Sequence, residues 1–299
     1  GKKKDKDSDG GFRGEVMGAR GPIIPPSVIM IIYAVGAGIS VGDLFLAGIV
    51  PGILLGVSLI IVSFILTRKM DLKVEEKATL REIFIAIKEA IWSIATPIIV
   101  LGGIYGGLFT PTEAAVIAVF YALFVAGVIH KELNWELIKK SLVSTLQTSC
   151  MVMIIIGAAS GFGWMVTVTN ISSTVADGIK SLTTNPFVYM ALVNVALIAI
   201  GLVMDTISAI VVFQTVFTPI ASTMGLDMLH FGAVFVIVVA IGNATPPFGY
   251  SLFVAAKISD TSLETISRNV LPMVIAMLVV IVLINIFPWL VTALPYALR

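Results

Sequence analysis

Gly242-Asn243-Ala244-Thr245-Pro246-Pro247-Phe248-Gly249 interrupts an apolar run that extends from Phe231 to Ala256. A second stretch of the same kind, Gly21-Pro22-Ile23-Ile24-Pro25-Pro26-Ser27, opens another apolar run. Adding 221 to a residue number carries Gly21 onto Gly242, Pro25 and Pro26 onto Pro246 and Pro247, Ala34 onto Ala255, and Pro51 onto Pro272, with no gap. A proline pair removes two amide donors and stops a helix. Inside a bilayer, the carbonyls thus freed survive only where protein, water or an ion satisfies them. Paired breaks at corresponding places in two halves of a chain point to a secondary-transporter binding site.

The composition demands a bilayer. Hydrophobic residues make up 58% and charged residues 12%, with a mean hydropathy of +1.05; a soluble globule has about 25% charged residues. The charges gather in a few short loops, and no basic stripe lies on a foldable soluble face, which excludes nucleic acid as a partner. Cys150 is the single cysteine, so no disulfide forms within the chain. Its apolar neighbours predict a buried, inert thiol. Residues 1–20 form a polar, basic head with no apolar stretch behind it, so it is not a signal peptide. Disorder or an altered terminus is expected there.

A membrane helix needs about 20 apolar residues. Pro22–Gly36 is short, and Leu44–Thr67 is a full span; residues 21–67 read as what is present of a first inverted repeat. Residues 68–110 hold an amphipathic surface helix, Arg68–Lys88, with Leu80, Ile83, Phe84 and Ile87 on one side. The connecting helix Ile91–Gly103 follows. Residues 111–299 read as the second repeat. It has spans at Pro111–Ile129 and Ser141–Thr167, a polar loop at Ile171–Asn185, a hairpin over 187–221, a broken helix over 231–256 and a last span at Leu271–Leu290. The hairpin is inferred because an uninterrupted helix from Pro186 to Ala221 would reach roughly 50 Å, against a core of about 30 Å. Two half-helices meeting at a non-helical tip, Met204–Ser208, fit better.

Charge sets the orientation. With the basic head inside, the loops of Arg68–Lys88, His130–Lys140 and Lys257–Arg268 also fall inside. Those at Ala37–Asp43, Tyr105–Thr110, Asn170–Asn185 and Ser222–Met228 fall outside and hold a single base, Lys180. Trp92, Trp135, Trp164 and Trp289 mostly flank apolar segments, as interfacial anchors do.

The chemistry centres on Asp205. An intramembrane carboxylate costs about 2.5–3.5 kcal/mol on insertion scales and marks a pathway or ion site. Thr206 and Ser208 add hydroxyl oxygens, and hard cations take such ligands. Asp205 as a simple helix cap is the other reading; the two roles coexist. Asn243 and Thr245 offer oxygens beside the second proline pair, as an ion or substrate site or as a kink satisfied by its neighbours. Thr110-Pro111-Thr112-Glu113 reads as a capping box. His130 and His230 lie at segment ends as interfacial side chains. No nucleophile–base pair, metal cluster or nucleotide loop is visible, so an enzyme is not expected and no cofactor is implied.

GPIIPPS (Gly21–Ser27), GGIYGGLFTPTEA (Gly102–Ala114), IIGAASGFGW (Ile155–Trp164) and the stretch from MDTIS to NATPPFG (Met204–Gly249) resemble the large membrane subunit, the DctM-type or M subunit, of tripartite ATP-independent periplasmic (TRAP) transporters. The resemblance implies an all-α polytopic protein of the bacterial inner membrane. Its fold would be an inverted-repeat, elevator-type transporter with a re-entrant hairpin and broken helices. It implies import of an organic acid anion, such as a C4-dicarboxylate or sialic acid, coupled to Na⁺. The partners implied are a periplasmic substrate-binding protein, a small Q-type membrane subunit and the lipid bilayer. The family's hairpin tip falls on Met204–Ser208, and its unwound sites fall on Gly21–Ser27 and Gly242–Gly249. Sodium is thus expected at Asp205, Thr206, Ser208, Gly242, Asn243 and Thr245. Substrate is expected at Pro25, Pro26, Ser27, Pro246, Pro247 and Gly249. The family also carries a first hairpin and several helices ahead of the GPIIPPS site, where this sequence has about twenty polar residues. The expectation is a fragment, or a first half on another chain, and no transport by these 299 residues alone. The alternatives are a sodium/dicarboxylate symporter that needs no binding protein, and a non-transporting membrane scaffold.

Overall fold

The computed structural model describes residues 25–68, 79–259 and 261–298. The basic head, Gly21–Ile24 of the first break and residues 69–78 of the expected surface helix lie outside them. Helices follow in the order α1 (Val28–Ala37), α2 (Val41–Thr67), α3 (Leu80–Tyr105), α4 (Pro111–Phe124, prolonged by a π-turn at Val125–Ile129), α5 (Trp135–Val168) and α6 (Ile171–Leu182). Then come α7 (Pro186–Val203), α8 (Thr206–Thr223), α9 (Met228–Gly242), α10 (Tyr250–Ser259), α11 (Leu263–Ile286) and α12 (Trp289–Ala297). Among the described residues, six stretches are long and apolar enough to cross a membrane: α2, α4 with its π-turn, α5, α7, α8 and α11. The protein is an all-α polytopic membrane protein.

The 221-residue offset reappears as structure. Val28–Ala37 plus 221 gives 249–258, against Tyr250–Ser259 for α10. Ser40 caps α2 by accepting from the Asp43 N–H at 3.2 Å, and Ser262 caps α11 by accepting from the Thr265 N–H at 3.4 Å. Asp43 and Glu264 sit in the two first turns, where the helix dipole favours an anion. Pro51 and Pro272 lie within their helices, and both Pro25–Pro26 and Pro246–Pro247 are cis.

The contacts divide the chain into two units. One holds residues 25–68 and 154–298, and it is built around α9. Every residue of α9 from Leu229 to Gly242 is buried, against α7, α8, α2, α11 and α1. A helix apolar all round belongs in such a position. Its aromatic spine runs from Tyr189 to Phe231, Phe235 and Tyr33, with ring centroids 5.2–6.4 Å apart. In lipid this packing stabilises by close van der Waals contact, since hydrocarbon is as apolar as the side chains. The corresponding helices α2 and α11 pack on each other, and α12 on α2. The other unit, residues 79–153, pairs α3 with α4 through a turn at Gly106–Thr110. Gly107 takes φ +66° there, and Phe109 lies over Gly103, where a Cβ would overlap its ring. The expected capping box is present: Glu113 accepts from the Thr110 N–H at 2.8 Å, and Thr110 Oγ1 accepts from the Glu113 N–H at 3.3 Å.

Several expectations need correction. Leu80–Tyr105 is one continuous helix, so the amphipathic stretch and the connecting helix are not separate; Pro97 sits inside it. Ile171–Asn185 is not an irregular loop. Ile171, Val175 and Ile179 recur at helical spacing, and α6 packs against α8 with Ala176 buried. The last span ends at Ile286, and Phe287 and Pro288 separate it from α12. Cys150 is exposed rather than buried. His230 is 4% exposed, and its Nε2 lies 2.9 Å from the Ile284 carbonyl, so it pins α9 to α11 instead of sitting at an interface.

Candidate functional site

Proline and asparagine fix the start of the hairpin. Asn185 caps α7 by accepting from the Phe187 N–H at 2.9 Å, and Pro186 takes the first helical position. Met204 and Asp205 are extended, with ψ of 152° and 147°, and α8 restarts at Thr206. The break is two residues long, so Thr206 and Ser208 are helical rather than part of an open tip. The Tyr189 hydroxyl donates to the Phe217 carbonyl at 2.9 Å, which sets the arms antiparallel. Each arm has 18 residues, or about 27 Å; the arms are therefore not half-length.

Asp205 is exposed, and its Oδ2 accepts from the Ile207 N–H at 3.0 Å. The cap is real and leaves the other carboxylate oxygen available. Thr206 is buried, and its Oγ1 accepts from Asn243 Nδ2 at 2.9 Å. This bond ties the hairpin tip to the break at the end of α9. Asn243 Oδ1 is buried without a hydrogen-bond partner.

Two glycines make the approach possible. A Cβ on Gly201 would lie 2.9 Å from the Val239 carbonyl oxygen, and one on Gly242 would lie 3.0 Å from the Ile198 carbonyl oxygen. Helices α7 and α9 therefore cross backbone on backbone, three residues before the tip. Gly242 acts here as a spacer.

The break itself is folded. The Ile241 carbonyl accepts from Thr245 Oγ1 at 2.7 Å, the Gly242 carbonyl from the Thr245 N–H at 3.0 Å, and the Thr245 carbonyl from the Gly249 N–H at 3.1 Å. The Asn243 carbonyl accepts from the Ser251 N–H at 3.2 Å. These carbonyls find their donors within the loop itself. A Cβ on Gly249 would come within 2.5 Å of the Asn243 carbonyl oxygen, so glycine closes the loop. Pro247 and Phe248 remain exposed at its apex.

Pro25, Pro26 and Ser27 lie at the head of α1. Ser27 is buried and accepts from the Met30 N–H at 3.5 Å; Pro25 and Met30 pack over Gly48 of α2. Among the expected site residues, a direct hydrogen bond joins Thr206 and Asn243, with Asp205 and Gly242 as their chain neighbours. Sequence reading missed Gly201, whose signal was a small residue just before the tip. It also missed Gln214, a buried carboxamide within apolar α8.

Residues 16–290 match the family described as "Tripartite ATP-independent periplasmic transporter, DctM component". The chain belongs to that family. A sialic acid TRAP transporter large permease of Vibrio cholerae is 35% identical over 92% of this chain and 64% of its own length. An isethionate TRAP transporter permease of Oleidesulfovibrio alaskensis is 39% identical over 91% of this chain and 43% of its own. A 2,3-diketo-L-gulonate TRAP transporter large permease of Escherichia coli is 34% identical over 89% and 63% respectively. The chain spans less than two thirds of the length of these relatives. As a DctM-type protein with six apolar helices long enough to cross, it is a multi-pass protein of the bacterial inner membrane.

Proposed function

We propose that this chain is part of a sodium-coupled importer of organic acid anions, which works with a periplasmic binding protein and a small membrane subunit. The observation that carries the ion site is the Thr206–Asn243 bond beside an unpaired, buried Asn243 Oδ1. Carboxylate, hydroxyl and carboxamide oxygens are hard ligands, so Asp205, Thr206 and Asn243 suit Na⁺ in kind. Bound sodium supplies positive charge between the tip and the break. Thr206 and Asn243 hold the two elements in register, and the N-terminus of α8 adds the positive end of its dipole toward an anion. An ion that prefers the closed tip shifts the population toward it by its differential affinity and no more. The hairpin-bearing unit then carries ion and anion across together. The test is uptake of labelled organic acids by cells expressing the complete permease with its partners. Asp205→Asn and Asn243→Ala should each raise the sodium concentration needed for half-maximal uptake by about tenfold or more, since lost charge-assisted contacts are worth roughly 1.5–3 kcal/mol. Unchanged sodium dependence in both would remove these residues from the site.

A further inference from the structure

Helix α5 is long and lightly held. Of its 34 residues only Ala159 and Val166 are buried, and among the described residues it makes no extended contact with another helix. Its second half is parted from α1 and α8 by a groove of about 570 Å³, whereas a packed interior leaves few voids larger than a water molecule. A close approach occurs at Gly163, where a Cβ would lie 3.2 Å from Thr215 Cγ2 and 3.8 Å from Thr215 Cβ on α8. Helix α6 is held differently. It packs on α8 with Ala176 buried. Its far end runs into the hairpin through hydrogen bonds: the Thr183 N–H donates to the Ile179 carbonyl at 2.8 Å, and the Asn185 N–H donates to Thr183 Oγ1 at 3.0 Å. Helix α6 is therefore fastened to the hairpin at its side and at its end.

Between α5 and α6 stand two residues, Thr169 and Asn170. Asn170 takes φ 54° and ψ 29°, the left-handed region, and its side chain caps neither helix by a hydrogen bond. Asparagine enters that region more readily than other residues with a side chain. A left-handed residue ends many helices; this one also begins the next. The hydrogen bonds around it divide cleanly. The Thr169 N–H donates back to the Met165 carbonyl at 2.9 Å, and the Asn170 N–H back to the Thr167 carbonyl at 3.2 Å. The Asn170 carbonyl accepts from the Thr174 N–H at 3.1 Å and from Ser173 Oγ at 2.7 Å, both on α6. Rotation about φ and ψ of Asn170 breaks none of these bonds. Hinges are a few element-terminal residues that absorb such rotations. We infer that Asn170 is the hinge on which α6 and the hairpin move as one body relative to α5, and that the α5–α8 approach at Gly163 parts and re-forms in each transport cycle. This rests on the reading above, in which the hairpin-bearing unit carries its cargo across.

The experiment locks the contact. Gly163→Cys with Thr215→Cys, in a cysteine-free form of the complete permease, puts two thiols at a Cβ separation suited to a disulfide. In cells with the partner proteins, mild oxidation should lower uptake by about tenfold or more, and dithiothreitol should restore it. Each single variant should keep its uptake under the same oxidant. Purified in nanodiscs, the pair also reports on the hinge through its rate of cross-linking. Asn170→Val, a β-branched residue that disfavours the left-handed region, should slow cross-linking by about fivefold or more. Asn170→Gly and Asn170→Asp, both at ease in that region, should leave the rate unchanged. If the valine variant does not fold, the lock alone decides. Uptake undiminished by the cross-link, no disulfide from the pair, or one cross-linking rate for all three Asn170 variants would overturn the inference. Cross-linking is read on a gel without sodium or substrate. Absence of sodium-driven uptake before oxidation therefore counts against the coupled importer alone, and uptake that survives the lock counts against the hinge alone.

Discussion

Gly201 and Gly242 show how single residues set the site. Gly201→Ala or Gly242→Ala puts a methyl group against backbone that has no flexible end to move. Each should cost about 1–3 kcal/mol, read as a lower midpoint in thermal unfolding of the nanodisc protein. Gly157→Ala, with nothing within 4 Å, should leave the midpoint unchanged or raise it. Thr206→Val removes the acceptor of Asn243 Nδ2 and leaves a buried carboxamide with both ends unpaired. It should cost about 1–3 kcal/mol on the same scale, with Asn243→Ala adding little on top because the two report one contact. At this scale the sequence was a partial guide. Asp205, Thr206 and Asn243 stood out as polar groups in apolar surroundings. Gly201 and Gln214 did not, because a spacer or a buried amide takes its meaning from the helix that packs against it.

Elements were legible wherever chain chemistry sets their ends. Prolines and capping side chains marked the starts of α4, α7 and α8 and the gap between α9 and α10. Helix α6 was missed because serine, threonine and glycine obscured an apolar stripe that only packing on α8 rewards. The continuity of α3 was missed because charged residues in its first turns suggested a separate element. The loop before α9 carries its own prediction. Burial pushes the Asp227 carboxyl up, but the Tyr296 hydroxyl and the His230 and Leu229 N–H groups, with His230 nearby, outweigh this and hold it below the usual carboxylate value. Its contribution to stability is therefore complete above its unfolded value of about 3.9 and is lost as pH falls through the lower folded value. Tyr296→Phe should lower the unfolding midpoint at pH 7, and the gap from wild type should begin to narrow as pH falls below about 4. A gap that does not narrow on further acidification would show that the contact does not depend on the charged carboxylate.

For the whole molecule, the 221-residue offset gave the correspondence of α1 with α10 and α2 with α11, and charge asymmetry predicts the sidedness. Burial of every face of α9 was not legible, since an apolar run reads the same against lipid as against protein. In a Cys150→Ser background, a cysteine at Lys139 should react only from the cytoplasmic side of sealed vesicles, and one at Asn185 only from the opposite side. The reverse pattern would invert the topology. The crossing of α7 and α9 at Gly201 adds a mechanical consequence. It lies three residues, about 4.5 Å, from the end of α7 at Met204, and fifteen residues, about 22 Å, from Pro186. The Tyr189–Phe231 ring contact fastens the far end of α7 to the same helix, so α7 is held to α9 near both of its ends, and the Thr206–Asn243 bond sits at the tied end of a stiff pair.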